Sequence, residues 1–101
     1  MDGFSLETPE QVGKALAARA KALRLGKGWK QITLAQRSGV SLASLRRFEE
    51  SGRVSLQSLL DLAFALGRLD DFDAVLEPPR ASSLAELEAT EKRSGRQRGR
   101  I

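Results

Sequence analysis

Apolar residues in this chain recur at the spacing of a helix, and the runs they form are opened by a hydroxyl residue or closed by glycine or proline. That punctuation constrains the fold more than any other feature. Thr8, Pro9 and Gln11 supply a cap, a proline at the first helical position and the return partner of a capping box. Val12, Leu16, Ala20 and Leu23 follow as an inner stripe with Lys14, Lys21 and Arg24 largely off it. The spacing predicts a helix to about Leu25, ended by Gly26-Lys27-Gly28. Lys30 to Ser38 reads as a short second helix with Leu34 and Ala35 inward, stopped by Gly39. Ser41 caps a third over Leu42 to Glu50, with Leu45 and Phe48 inward. Ser55 caps a fourth whose stripe is Leu56, Leu59, Leu60, Ala63 and Leu66, ended by Gly67. A fifth is expected from about Asp71, with Phe72, Val75 and Leu76 apolar, terminated by Pro78-Pro79. No strand-like alternation occurs, so the expected class is all-α.

The length of 101 residues allows one small core and a tail. Histidine and cysteine are both absent, which removes imidazole bases, thiol nucleophiles, disulfides and the usual zinc and haem ligands together. No enzyme activity, cofactor or metal is therefore expected. Asp70, Asp71 and Asp73 lack the glycine and distal glutamate of a calcium loop and read as helix-start acids. No apolar run is long enough to span a membrane and no leader pattern opens the chain, giving the expectation of a soluble, cytoplasmic protein.

The net charge of +4 conceals large blocks of alternating sign. Residues 1–13 carry three acids and no base. Residues 14–53 carry ten bases against Glu49 and Glu50 alone. Residues 54–91 carry eight acids against Arg68 and Arg80, and residues 92–101 carry five bases and no acid. So polarised a small domain offers one face to a polyanion and another to a different partner, although single charge runs often only solvate a helix.

The second and third helices, joined through Ser38-Gly39-Val40, form a helix-turn-helix pattern. Ala35 must be small where the helices cross, Gly39 supplies the turn, and Val40 with Leu45 plugs the angle between them. The pattern sits in a longer run: Trp29-Lys30-Gln31, Leu34-Ala35, Gly39-Val40-Ser41, Leu45, Phe48-Glu49, then Leu59-Leu60-Asp61-Leu62-Ala63 and Ala65-Leu66-Gly67. Over about residues 12–77 this run resembles the Xre-type helix-turn-helix family, the five-helix DNA-binding domains of lambdoid phage repressors and their bacterial relatives. The resemblance implies a five-helix domain of that kind; Ser83-Leu84-Ala85-Glu86 predicts a short extra C-terminal helix beyond it, and the Gly- and Arg-rich residues 94–101 predict a disordered basic tail.

It also implies roles for matching positions. Leu42, Ala43 and Arg47 would face base edges in the major groove, and Gln31 and Ser44 would contact phosphate. Arg46 would lie on backbone, Arg53 in the following loop would run along a phosphate or the minor groove, and Lys30 is a further phosphate candidate. Arg24 and Glu49 match a pair that is salt-bridged between the first and third helices. Leu42 and Ala43 replace the amide side chains common in the family. Hydrogen-bonded readout is thereby concentrated on Arg47, most naturally on guanine, and DNA shape gains weight. Trp29 reads as a hydrophobic lid over the first turn. Lys27 could reach phosphate or simply keep the loop soluble.

The segment Gly67-Arg68-Leu69-Asp70-Asp71-Phe72-Asp73, then Pro78-Pro79-Arg80-Ala81-Ser82-Ser83-Leu84, looks like HipB-type antitoxins, which accompany HipA-type kinases. That likeness implies a repressor of its own toxin-antitoxin operon that neutralises a HipA-like serine/threonine kinase. The alternative is a free-standing repressor. The expected partition is an N-terminal arm over 1–7, the DNA-binding domain over 8–77, a Pro-Pro linker and short helix over 78–93, and a basic tail over 94–101. Leu84 and Leu87 form a thin apolar edge for docking on a partner or a second copy, unless that helix frays. The tail reads equally as a DNA arm, a partner-ordered segment or a solubilising end. A homodimer on an inverted-repeat operator is expected, since one helix with few hydrogen-bonding readers gives little specificity.

Overall fold

The computed structural model describes residues 8–79, and within them every regular element is helical. The order is α1 (Pro9–Gly26), α2 (Gln31–Ser38), α3 (Leu42–Ser51) and α4 (Leu56–Ala65), then one turn of 3-10 helix over Leu69–Phe72. The caps are those the punctuation predicts. Thr8 and Gln11 close a reciprocal box, with the Gln11 backbone N–H donating to Thr8 Oγ1 at 3.1 Å and the Thr8 N–H to Gln11 Oε1 at 3.2 Å. Ser41 and Ser55 accept from Ser44 and Ser58 N–H groups, each at 3.1 Å. No described helix is long and apolar enough to cross a membrane. The arm over 1–7, Leu84, Leu87 and the basic tail lie outside the described residues.

The expected fifth α-helix does not form. Among the described residues there are four, and beyond Arg68 the backbone makes only i→i+3 hydrogen bonds, Asp71 to Arg68, Asp73 to Asp70, Val75 to Phe72 and Glu77 to Ala74. Asp70 and Asp73 repel at helical spacing, and Leu76 takes a left-handed backbone at φ 63° that an α-helix does not contain. Val75 and Leu76 stay 57% and 97% exposed, so burial offers the segment no compensation.

α1 packs on α3, and α2 packs on both α3 and α4. Phe48, Leu34, Leu45 and Leu62 are sealed at their centre, with Ala17, Ala35, Val40 and Leu66 completing the cluster. Two stripes differ in part from expectation. In α1 Leu16, Ala20 and Leu23 pack against the core as expected, but the fully buried residues are Ala17 and Arg24, and Val12 is 40% exposed. In α4 the inner face is Leu59, Leu62, Ala63 and Leu66, which leaves Leu56 at 67% and Phe64 at 72% exposure. That helix is apolar nearly all round, so its period alone does not choose a face.

One backbone approach holds the α3–α4 loop to α1. A Cβ built on Gly13 would stand 2.8 Å from the Gly52 carbonyl oxygen, and one on Gly52 would stand 2.6 Å from the Gly13 carbonyl carbon and the Lys14 nitrogen. Both residues must therefore lack a side chain. Gly52 must also hold φ 80°, where it ends α3.

Candidate nucleic-acid interface

The turn between α2 and α3 is built by Gly39 in the left-handed conformation at φ 78°, its N–H donating back to the Ala35 carbonyl at 2.9 Å. Ser38 stiffens it: its hydroxyl accepts from the Val40 N–H at 3.1 Å, and Val40 is buried behind the turn. α3 therefore leaves the turn at a fixed angle, pinned along its inner side by Leu45 and Phe48, both fully buried.

The outer side of α3 is consequently Ala43, Ser44, Arg46, Arg47 and Glu50, all exposed. Leu42 departs from its expected place. It stands three residues before Leu45, which turns it toward the interior, and it is half-buried against the core. Its part in meeting a base edge is at most that of its outer atoms. Ser41 donates its hydroxyl proton to Ser44 Oγ at 2.9 Å, which leaves the Ser44 proton for an outside acceptor. The Arg47 guanidinium has no hydrogen bond or ion pair with the described residues, and the carbonyl of Arg47 accepts from Ser51 Oγ at 2.7 Å.

Behind this surface lies a polar network that joins three helices. Arg24 is 6% exposed, and its Nε and Nη2 donate to the two carboxylate oxygens of Glu49 at 2.8 and 3.0 Å. Its Nη1 donates to the Trp29 carbonyl at 2.8 Å. A buried arginine thus has a bidentate counter-charge and a third acceptor, the arrangement its burial requires. Gln31, the first residue of α2, donates from Nε2 to Glu49 Oε1 at 3.0 Å and accepts from Arg46 Nε at 3.4 Å. The ion pair is accordingly connected to the surface through one amide.

The basic residues flanking α3 complete the face. Lys30 precedes α2 without capping it, leaving the first-turn N–H groups to other acceptors. Arg53 follows Gly52 and is exposed, its own N–H held by Ser51 Oγ at 3.2 Å. Lys14 was missed as a candidate, yet its backbone abuts Gly52 beside Arg53 and its side chain is exposed. The signal in sequence was Gly13, a costly residue inside a helix that therefore signals a close approach. The basic block also divides. Arg24 is neutralised inside, and Lys27 and Arg37 stand over the half-buried Trp29 ring at 5.3 and 4.6 Å from its centroid. Lys14, Lys30, Arg46, Arg47 and Arg53 carry no carboxylate partner among the described residues.

A short positioning helix, a glycine turn and an exposed helix whose arginines have no carboxylate partner among the described residues define a helix-turn-helix domain that binds DNA. Residues 21–72 match the model of the helix-turn-helix family, over half of the chain, and the protein belongs to that family in its Xre-like form. No curated protein and no solved structure matches the chain.

Proposed function

We propose that the protein is a cytoplasmic, sequence-specific repressor that binds duplex DNA as a homodimer on an inverted repeat, with no catalytic step. The observation that carries this reading is the exposed row of Ser44, Arg46 and Arg47, in which neither arginine is ion-paired among the described residues, on a helix whose opposite side is locked by Leu45, Phe48 and Glu49. A reading helix must be rigid behind and unpaired in front. In this assignment α3 enters the major groove with Ala43 and Arg47 toward base edges and only the outer edge of Leu42 beside them. Lys30, Gln31, Ser44, Arg46 and Arg53 hold phosphates on either side. Gln31 approaches a phosphate through its backbone N–H and its remaining amide proton, its other side-chain atoms being taken by Glu49 and Arg46. Two copies place their reading helices ~34 Å apart, one turn of duplex.

Selection from a pool of random duplexes, followed by titration of the enriched site, tests the assignment. Arg47→Ala is expected to cost about 1–3 kcal/mol on the selected site and to relax the sequence at one position of each half. If Arg47→Ala weakens every sequence alike, Arg47 is a phosphate contact and the base-reading role is wrong.

A finer reading makes the operator that of the protein's own operon and adds a HipA-like kinase toxin as partner. Val75 and Leu76 favour it, since apolar side chains left open to water beside the Pro78-Pro79 step suit a protein surface. In this reading Leu84 and Leu87 extend the same contact. The product of an adjacent kinase gene that co-purifies with the chain supports it. A regulator whose neighbours include no such gene stands alone as a repressor.

A further inference from the structure

The outer side of α4 carries an apolar stripe that its own fold does not use. Leu56, Leu60 and Phe64 stand four residues apart on one side of the helix. Leu56 is 67% and Phe64 72% exposed, and Leu60 is half-buried. The other side already supplies Leu62, Ala63 and Leu66 to the core. A surface helix needs one apolar face, and α4 has two.

We propose that this stripe receives a second copy of the chain, α4 lying antiparallel on its counterpart about a twofold axis at Leu60. The inference rests on the proposed reading of an inverted repeat, which needs two copies related by such an axis. The spacing fits that occupant. Leu56 and Phe64 are equally distant from Leu60, so an antiparallel pair sets Leu56 of one copy against Phe64 of the other, twice, with the two Leu60 residues at the centre. Charge permits it as well. The only ionised side chain between Leu56 and Ala65 is Asp61, off the stripe and hydrogen-bonded by Gln57 Nε2 at 3.0 Å. Antiparallel helices also set opposite dipole ends together. The reading face stays open, because α4 packs on α2 while the unpaired arginines stand on α3 and the loop after it.

The size of the stripe sets the strength. A stable interface buries about 800 Å² on each partner, and three side chains on one helix supply about half of that. The pair is therefore weak in free solution, forms at high protein concentration and is strengthened when two copies lie side by side on DNA.

The chain contains no cysteine, so a single introduced thiol reports on the contact. In the full chain, with a random-sequence duplex present, Leu60→Cys is expected to form a disulfide-linked dimer about tenfold faster than Gln36→Cys on exposed α2. At protein concentrations high enough to populate the weak pair, Phe64→Ser, at an exposed site that spares the core, is expected to lower the dimer fraction in sedimentation equilibrium and leave the urea midpoint unchanged. Equal cross-linking rates for the two cysteine variants, or an unaltered dimer fraction for Phe64→Ser, would overturn the proposal. Dimerisation through residues 80–101 or occupation of the stripe by another protein would give those results. Duplex binding followed in parallel separates the two ideas. A chain that binds the duplex without α4 contact sinks the docking surface alone, and an α4-linked dimer that ignores DNA sinks the repressor reading alone.

Discussion

Replacing Glu49 by Ala is expected to destabilise the domain by about 3–5 kcal/mol in urea titration, because it strands Arg24 as an unpaired charge in the interior. The side chains of the pair are 7% and 5% exposed, so water cannot take the place of the carboxylate. The same change removes the acceptor of Gln31 and loosens the start of α2. A domain of this size has on the order of 5 kcal/mol of stability in total, so the variant should be largely unfolded near room temperature. The double variant Arg24→Met with Glu49→Leu separates the cost of a lone buried charge from the worth of the pair. It is expected to recover most of the loss, leaving the Trp29 carbonyl as the one acceptor without its donor. A loss below about 1 kcal/mol for Glu49→Ala would mean that the pair behaves as an exposed one.

Phe48→Ala is the second change with a large expected effect, about 3–5 kcal/mol by the same measurement. Phe48 is fully buried and is the largest of the sealed side chains. It also sits in the last part of α3, one residue before Glu49, so its removal leaves a cavity behind the reading helix. DNA affinity should fall with stability, and Phe48→Leu should restore much of both because it refills most of the volume. An Ala variant within about 1 kcal/mol of the original protein would show that the site collapses onto the smaller residue.

The parts of this fold that were legible in sequence are those fixed by local chemistry. Thr8, Ser41 and Ser55 could be read as caps because a hydroxyl before an apolar-periodic run has few other uses. Gly39 could be read as the turn because a glycine stop followed two residues later by the hydroxyl cap Ser41 ends one helix and starts the next. Leu34, Leu45 and Phe48 could be read as core from spacing alone. What escaped depended on other elements. The face of α4 was ambiguous because Leu56, Leu59, Leu60 and Phe64 are all apolar, and only the position of α2 decides which of them is covered. The fifth helix looked plausible from Phe72, Val75 and Leu76, but those residues needed a surface to bury against and the turn after Gly67 gives them little. Gly13 is a weak local signal whose meaning appears only when Gly52 arrives beside it.

The candidate site divides in the same way. Exposure of Arg46 and Arg47 follows from the α3 period once Leu45 and Phe48 face inward. The inward lean of Leu42 follows from that period too, yet the family resemblance set it toward the bases. The Arg24–Glu49 pair came from resemblance and not from spacing. Its extension through Gln31 to Arg46 depends on three helix ends meeting, which the order of residues along the chain does not reveal.

In the proposed function the face of α3 and its flanks holds duplex DNA through phosphates. Fluorescence anisotropy of a labelled duplex, titrated across a series of salt concentrations, measures this directly. Affinity is expected to fall linearly in the log–log plot, with a slope of about −0.9 for each phosphate neutralised. The double variant Arg46→Ala with Arg53→Ala should bind more weakly and with a slope shallower by roughly two such contacts. Absence of salt-dependent binding in the original protein, or an unchanged slope in the variant, would contradict the account.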